Sequence, residues 1–203
     1  MTDKYNREIK DLHSYVNKAK KAVNYGRLKR EKPLVVVLMG LPGSGKSYLA
    51  NFLHKKYSFT TLSGENITHA IFGTEKISSG QYKEAYEILR TVARELLDQK
   101  LCLVVDGTNL KYEFRKQIYE EAGKLAEVVL FYLVVEDDVA LNRANSRGEE
   151  FGDPKKILSK CPPETFESFK LKLELPREKE KCFKLKSDET LFEQANNIVK
   201  KFI

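Results

Sequence analysis

An unbroken apolar run, Leu34-Val35-Val36-Val37-Leu38-Met39, leads directly into Gly40-Leu41-Pro42-Gly43-Ser44-Gly45-Lys46-Ser47. Few folds accept this junction. The run reads as a strand covered on both faces. The eight residues after it match G-x-x-x-x-G-K-[ST], the phosphate-binding loop, in the strand–loop–helix setting the motif requires. Its glycines let successive backbone N–H groups converge on one anion, and the following helix adds the positive end of its dipole. Gly40 to Ser47 therefore form the candidate nucleotide cradle. Lys46 is placed to reach the β- and γ-phosphates, and Ser47 to ligate Mg²⁺. A turn that binds nothing has no use for Lys and Ser at these positions. ATP with Mg²⁺ is the expected ligand, and the motif leaves the fate of the γ-phosphate open.

The rest of the chain alternates apolar strands with amphipathic helices, the pattern of a parallel sheet with helices on both faces. Strands are expected at Leu34–Met39, Phe59–Leu62, Leu101–Val105, Val128–Val134 and Cys182–Leu185. A long helix over Gln81–Gln99 turns Tyr82, Ala85, Ile88, Leu89, Val92 and Leu96 inward. The expected architecture is thus an α/β P-loop fold with a five-stranded parallel sheet. Residues 34–203 form this domain, and a polar, Gly- and Pro-punctuated stretch at about 146–163 reads as a mobile lid. Residues 1–33 form an extra amphipathic helix, about 4–24, closed by Gly26 and followed by a short basic linker.

At 203 residues the chain suffices for one such core. It contains no apolar run of membrane-spanning length and no signal-peptide pattern, so a cytoplasmic location is expected. Cys102, Cys161 and Cys182 lack metal-ligand spacing and suggest a reducing compartment. The net charge is +7, and residues 1–33 carry ten Lys and Arg against four acids. A second surplus lies in residues 143–186, with twelve against eight. Two basic regions lining one groove would suit a polyanion. The bland alternative is a solvated helix face.

A GTPase would carry Asn-Lys-x-Asp, which this sequence lacks, and an AAA+ or helicase motor would need a longer chain. Three elements instead stand together: the phosphate loop, then Val104-Val105-Asp106-Gly107-Thr108-Asn109-Leu110, then Arg143-Ala144-Asn145-Ser146-Arg147-Gly148. Over about residues 34–185 the chain resembles the P-loop kinases related to the 5′-hydroxyl kinase domain of phage polynucleotide kinase, with zeta-toxin kinases as more distant relatives. Asp106, ending a buried strand at the carboxyl edge of the sheet, can orient an acceptor hydroxyl or hold Mg²⁺ through water. Thr108 and Asn109 suit a loop fixed by side-chain to backbone bonds. Arg143 and Arg147, four apart, share a helical face and could neutralise charge in phosphoryl transfer, and Arg147 matches the family's lid arginine.

The departure lies after the second strand. Relatives carry Arg-Asp-Asp-x-Arg there, whereas this chain reads Ser63-Gly64-Glu65-Asn66-Ile67-Thr68. Glu65 keeps a carboxylate at the general-base position, and Thr68 replaces the arginine that contacts the acceptor's phosphate. The first expectation is an ATP- and Mg²⁺-dependent kinase acting on a nucleic acid 5′-hydroxyl end. The alternatives are a small-molecule kinase of the same fold, acting on a sugar, nucleoside or antibiotic, and an ATP-binding adaptor with little turnover. Loss of the arginine weighs against the first in particular, unless Arg90, Arg94 or the basic arm supplies the contact.

Overall fold

The computed structural model describes residues 2–73, 77–146 and 160–203, with side chains from residue 11 on. Its centre is a five-stranded, wholly parallel sheet. The middle strand β1 (Leu34–Met39) pairs with β3 (Leu103–Asp106) and β4 (Glu127–Val134), while β2 (Thr60–Ser63) and β5 (Cys182–Lys186) form the edges, in the order β2-β3-β1-β4-β5. The helices are α1 (Thr2–Lys21), α2 (Lys46–Tyr57), α3 (Gly64–Phe72), α4 (Ser79–Asp98), α5 (Tyr112–Ala122), α6 (Asp137–Asn145), α7 (Pro163–Lys170) and α8 (Leu191–Val199).

Every residue of β1 is buried because the sheet is covered twice. Val35, Val37 and Met39 join Leu103 and Val105 beneath α3, α4 and α5. Leu34, Val36 and Leu38 face the other way, onto Leu49 and Leu53 of α2 and Leu191, Ala195 and Val199 of α8. Each such side chain contributes roughly 1.5–3 kcal/mol by leaving water. A one-residue slip of β1 would exchange its two faces, so the loop that follows it starts from a fixed point. The topology switches here: the chain runs from β1 out to β2, returns to β3 and then crosses β1 to β4, leaving a crevice at the strands' carboxyl ends.

Two expectations change. Tyr82 does not point inward: it is 45% exposed, whereas Ala85, Ile88, Leu89, Val92 and Leu96 are buried as the spacing predicts. The N-terminal helix also ends at Lys21 rather than running on toward Gly26, because the chain beyond it is claimed by the sheet. Asn24 and Thr61 exchange backbone hydrogen bonds of 3.1 and 2.9 Å, extending alongside edge strand β2. Gly26 N–H donates to Thr60 Oγ1 at 2.9 Å. Arg27 and Leu28 N–H both donate to Ser58 O, Cys102 N–H to Leu28 O, and Arg30 N–H to Lys100 O.

The basic linker is therefore a strap. Ser58 precedes β2, and Lys100 and Cys102 precede β3, so residues 27–30 cross the amino ends of the strands, at the opposite end of the sheet from the phosphate loop. By lying along β2 the segment also covers a sheet edge that would otherwise template pairing with another chain. Helix α1 packs Ala19, and the chain just after it Val23, into the core beside α3 and α4. Lys18 Nζ donates to Ile71 O at 3.3 Å, and Lys20 pairs with Glu95. Among the described residues, no helix is long and apolar enough to cross a membrane.

Candidate active site

The loop from Gly40 to Ser47 wraps the carboxyl end of β1. Gly43 has φ +80°, and a Cβ there would lie 1.9 Å from Ala140 O, so the loop packs on the backbone of α6 as only glycine allows. Gly45, at φ +87°, is the N-cap of α2 and offers no side-chain cap, leaving the first N–H groups of that helix for a ligand. Lys46 is buried. Its Nζ donates to Leu41 O at 2.7 Å and to Ser44 Oγ at 3.2 Å, which folds the ammonium back over the loop it would serve. Ser47 is half-buried at the same mouth. A ring of backbone donors, one ammonium and one hydroxyl fits a polyphosphate with its magnesium ion.

Asp106 ends β3, the strand beside β1, and is 7% exposed. The loop behind it is tied to the phosphate-loop strand from both directions. Gly40 N–H donates to Thr108 O at 3.1 Å, and Asn109 Nδ2 donates to Leu38 O at 2.7 Å. Asn109 adopts φ +44°, a conformation Asn tolerates better than most residues. Asn109 thus anchors the loop through its side chain as the sequence suggests, whereas the Thr108 contact is made by its backbone carbonyl.

Register brings the second carboxylate to the same edge. Ser63 is the partner of Asp106 across β2 and β3, and Glu65 follows in the first turn of α3, with Ser63 Oγ accepting from Asn66 N–H as the cap. Glu65 and Asp106 both act on one phenol. Burial, then Asp106, then Glu65 and Tyr82, push Tyr86 up to about 12. Tyr82 is also raised, by burial and then by Glu65. Two carboxylates and two phenols therefore share this edge of the crevice.

The residue at the lost arginine position takes no part. Thr68 is fully buried and donates its Oγ1 proton to Gly64 O at 2.6 Å, inside its own helix. Arg90 is held away by Glu121 Oε1 at 2.9 Å and Gln117 Oε1 at 2.6 Å.

On the other side, Arg143 Nη1 donates to Ser187 O at 3.3 Å and Ser187 Oγ at 3.2 Å. Ser187 Oγ itself stands 3.0 Å from where a Cβ on Gly45 would be, so Arg143 reaches the rim of the phosphate loop through this serine. Arg147 and residues 147–159 of the lid expected at about 146–163 lie outside the described residues. The ends of that segment converge, with Cys161 N–H donating to Ala144 O at 3.2 Å.

Sequence reasoning missed the pair that fastens the return of this segment. Arg115, fully buried, donates through Nε to Glu180 Oε1 at 2.7 Å and through Nη2 to Oε2 at 3.0 Å. Its Nη1 donates to Asn109 O and Leu110 O at 3.0 and 2.9 Å. One guanidinium thus joins the Asp106 loop to the chain entering β5. Tyr119 O–H and Arg177 N–H, each at 2.8 Å, complete the Glu180 carboxylate. Among the described residues, no cluster of His, Cys, Asp and Glu has the makeup of a metal site.

The comparisons with known proteins agree with this geometry. A family model described as an AAA domain, AAA_33, matches residues 35–176. The chain is 28% identical over 144 residues to a probable adenylyl-sulfate kinase from Bacillus subtilis, covering 68% of this chain and 67% of that one. It is 26% identical over 123 residues to a probable 6-phosphofructo-2-kinase from Schizosaccharomyces pombe, covering 51% of this chain but only 21% of the relative's length. Among solved structures, Kti12 from Chaetomium thermophilum in complex with ADP-AlF3 superimposes with a TM-score of 0.64 at 19% identity, over 82% of this chain and 97% of that one. That likeness shows the α/β fold.

Proposed function

The chain belongs to the AAA domain family AAA_33, and from that premise we propose that it is an ATP- and Mg²⁺-dependent kinase that phosphorylates a hydroxyl group of a small molecule. The observation that carries this reading is the placement of Asp106 and Glu65 at the ends of neighbouring strands beside the Lys46 loop. Bound Mg·ATP supplies the γ-phosphoryl group. The bond from γ-phosphorus to the β,γ-bridging oxygen breaks, the acceptor oxygen bonds to phosphorus, and ADP leaves.

In this reading Gly40 to Ser47 would hold the phosphates, Lys46 would meet charge on the β- and γ-oxygens, and Ser47 would hold the magnesium. Asp106 would help hold the ion or orient the acceptor. Glu65 takes the acceptor's proton, which requires reach first and a suitable pKa second. Arg143 and Arg147 offset the charge that develops on transfer.

The small-molecule acceptor draws support from three directions. The curated relatives described above are named as kinases of small molecules. The arginine that would hold an acceptor phosphate is a buried threonine. The basic strap lies at the amino ends of the strands, away from the Asp106 crevice, so it does not extend that crevice into a polyanion groove. A nucleic acid 5′-hydroxyl is the second reading, favoured by the likeness of the Asp106-to-Leu110 and Arg143-to-Gly148 elements to polynucleotide kinases.

A screen for γ-phosphate transfer to a metabolite pool, 5′-hydroxyl DNA and 5′-hydroxyl RNA separates them. The small-molecule reading predicts label in the metabolite pool, with a salt-insensitive acceptor KM. Label confined to oligonucleotides, lost steeply as salt rises, would refute it.

A further inference from the structure

Tyr86 lies on α4, whose packing role is carried by Ala85, Ile88, Leu89 and Val92. Its side chain instead runs out to the carboxyl ends of β2 and β3. Both strands are followed at once by glycine, Gly64 after Ser63 and Gly107 after Asp106, and these stand side by side because Ser63 and Asp106 are register partners. A Cβ on Gly107 would lie 2.7 Å from the Tyr86 hydroxyl oxygen, and a Cβ on Gly64 would lie 3.0 Å from the same atom. The hydroxyl therefore occupies the space that two side chains would otherwise fill. The ring is held there by Phe114 of α5, stacked at 5.6 Å between centroids and 28° between planes.

The glycines are next to the two carboxylates of the proposed reaction. Gly64 precedes Glu65, and Gly107 follows Asp106. Both carboxylates help raise the pKa of the phenol, whose hydroxyl rests against the glycine next to each of them. Like charges on neighbouring strand ends repel each other. A phenol seated against both glycines offers a proton donor and a rigid spacer in one group.

We propose that Tyr86 is a positioning residue that sets the spacing and direction of Glu65 and Asp106 at the acceptor side of the phosphoryl transfer site. This rests on the kinase reading. In this assignment Tyr86 acts through the two carboxylates and not on the nucleotide. Its removal should weaken binding of the transferring state and spare binding of ADP, since only the former engages the acceptor side. A purely structural tyrosine would affect both alike.

The test uses thermal stabilisation of the whole chain by Mg·ADP and by Mg·ADP with aluminium fluoride, which mimics the phosphoryl group in transfer. In wild type, aluminium fluoride should add to the Mg·ADP shift. In Tyr86→Phe the Mg·ADP shift should stay unchanged, while the additional shift falls to about half or less. Gly107→Ala should lose the additional shift too, because its methyl group meets the hydroxyl. The double variant Tyr86→Phe/Gly107→Ala should do no worse than Tyr86→Phe alone, since the other atoms near that Cβ are at 3.4 Å or beyond. An undiminished aluminium fluoride increment in Tyr86→Phe, or none in wild type, would overturn the proposal while leaving nucleotide binding intact. Absence of any Mg·ADP shift in wild type would instead overturn the kinase reading, and this proposal with it.

Discussion

Replacing Glu180 with glutamine should destabilise the protein by about 3–5 kcal/mol, the range for removing one partner of a buried ion pair. The geometry explains why an isosteric change does so much. Oε1 accepts from Arg115 Nε and Tyr119 O–H, and Oε2 accepts from Arg115 Nη2 and Arg177 N–H. Whichever way a glutamine amide turns, its NH₂ faces two donors. Tyr119 can rotate its hydroxyl to accept, but Arg115 cannot, so one buried N–H is opposed and the guanidinium loses its counter-charge.

For a domain of this size, that loss corresponds to a fall of roughly 6–20 °C in Tm. Burial is the largest single influence on the Glu180 carboxyl and raises its pKa. The Arg115 guanidinium, the Arg177 N–H and the Tyr119 hydroxyl together more than reverse this, leaving it depressed. A depressed carboxylate contributes stability that is fully present above its unfolded value and lost as pH falls through its folded one. Urea denaturation of wild type and Glu180→Gln should therefore show a constant gap at about pH 6–8, narrowing below about pH 4. A gap under about 1 kcal/mol, or one that does not narrow in acid, would refute the reasoning.

Lys46→Ala should reduce ATP turnover by about 10³-fold with the far-UV spectrum unchanged; turnover near wild type would remove the phosphate-loop assignment. Glu65→Gln should abolish phosphoryl transfer yet keep the wild-type affinity for Mg·ATP, measured by calorimetry. Transfer at the wild-type rate would pass the proton-accepting role to Asp106.

The phosphate loop was legible because its geometry is local: a buried strand, glycines in sequence and a Lys-Ser pair at fixed offsets. Asp106 was legible for a similar reason, as the first charge after an apolar run. Glu180 was not. It stands in Arg177-Glu178-Lys179-Glu180-Lys181, which reads as a solvated charge run, and only the distant Arg115 makes that one carboxylate interior. The choice between Tyr82 and Tyr86 was equally out of reach. Both fit a stripe on α4, and what separates them is the gap left by Gly64 and Gly107 on two other elements. The linker misled in the same way. Its charge suggested a polyanion partner or a solvated face, while its backbone N–H and C=O groups found partners before β2 and β3 that no period in the sequence encodes.

The strap also fixes an order of events during synthesis. Leu28 bonds to Ser58 and to the N–H of Cys102, and Arg30 to Lys100. The segment therefore cannot settle until β2 and the start of β3 exist, although it is made long before either. Until then Val16, Ala19 and Val23 have no core to enter. The chain must hold an amphipathic helix in waiting while later residues emerge, closing long loops before those contacts repay their entropy. Packing of the first helix into the core thus depends on elements made after it, among them the strands that lead to Glu65 and Asp106 at the sheet's opposite end.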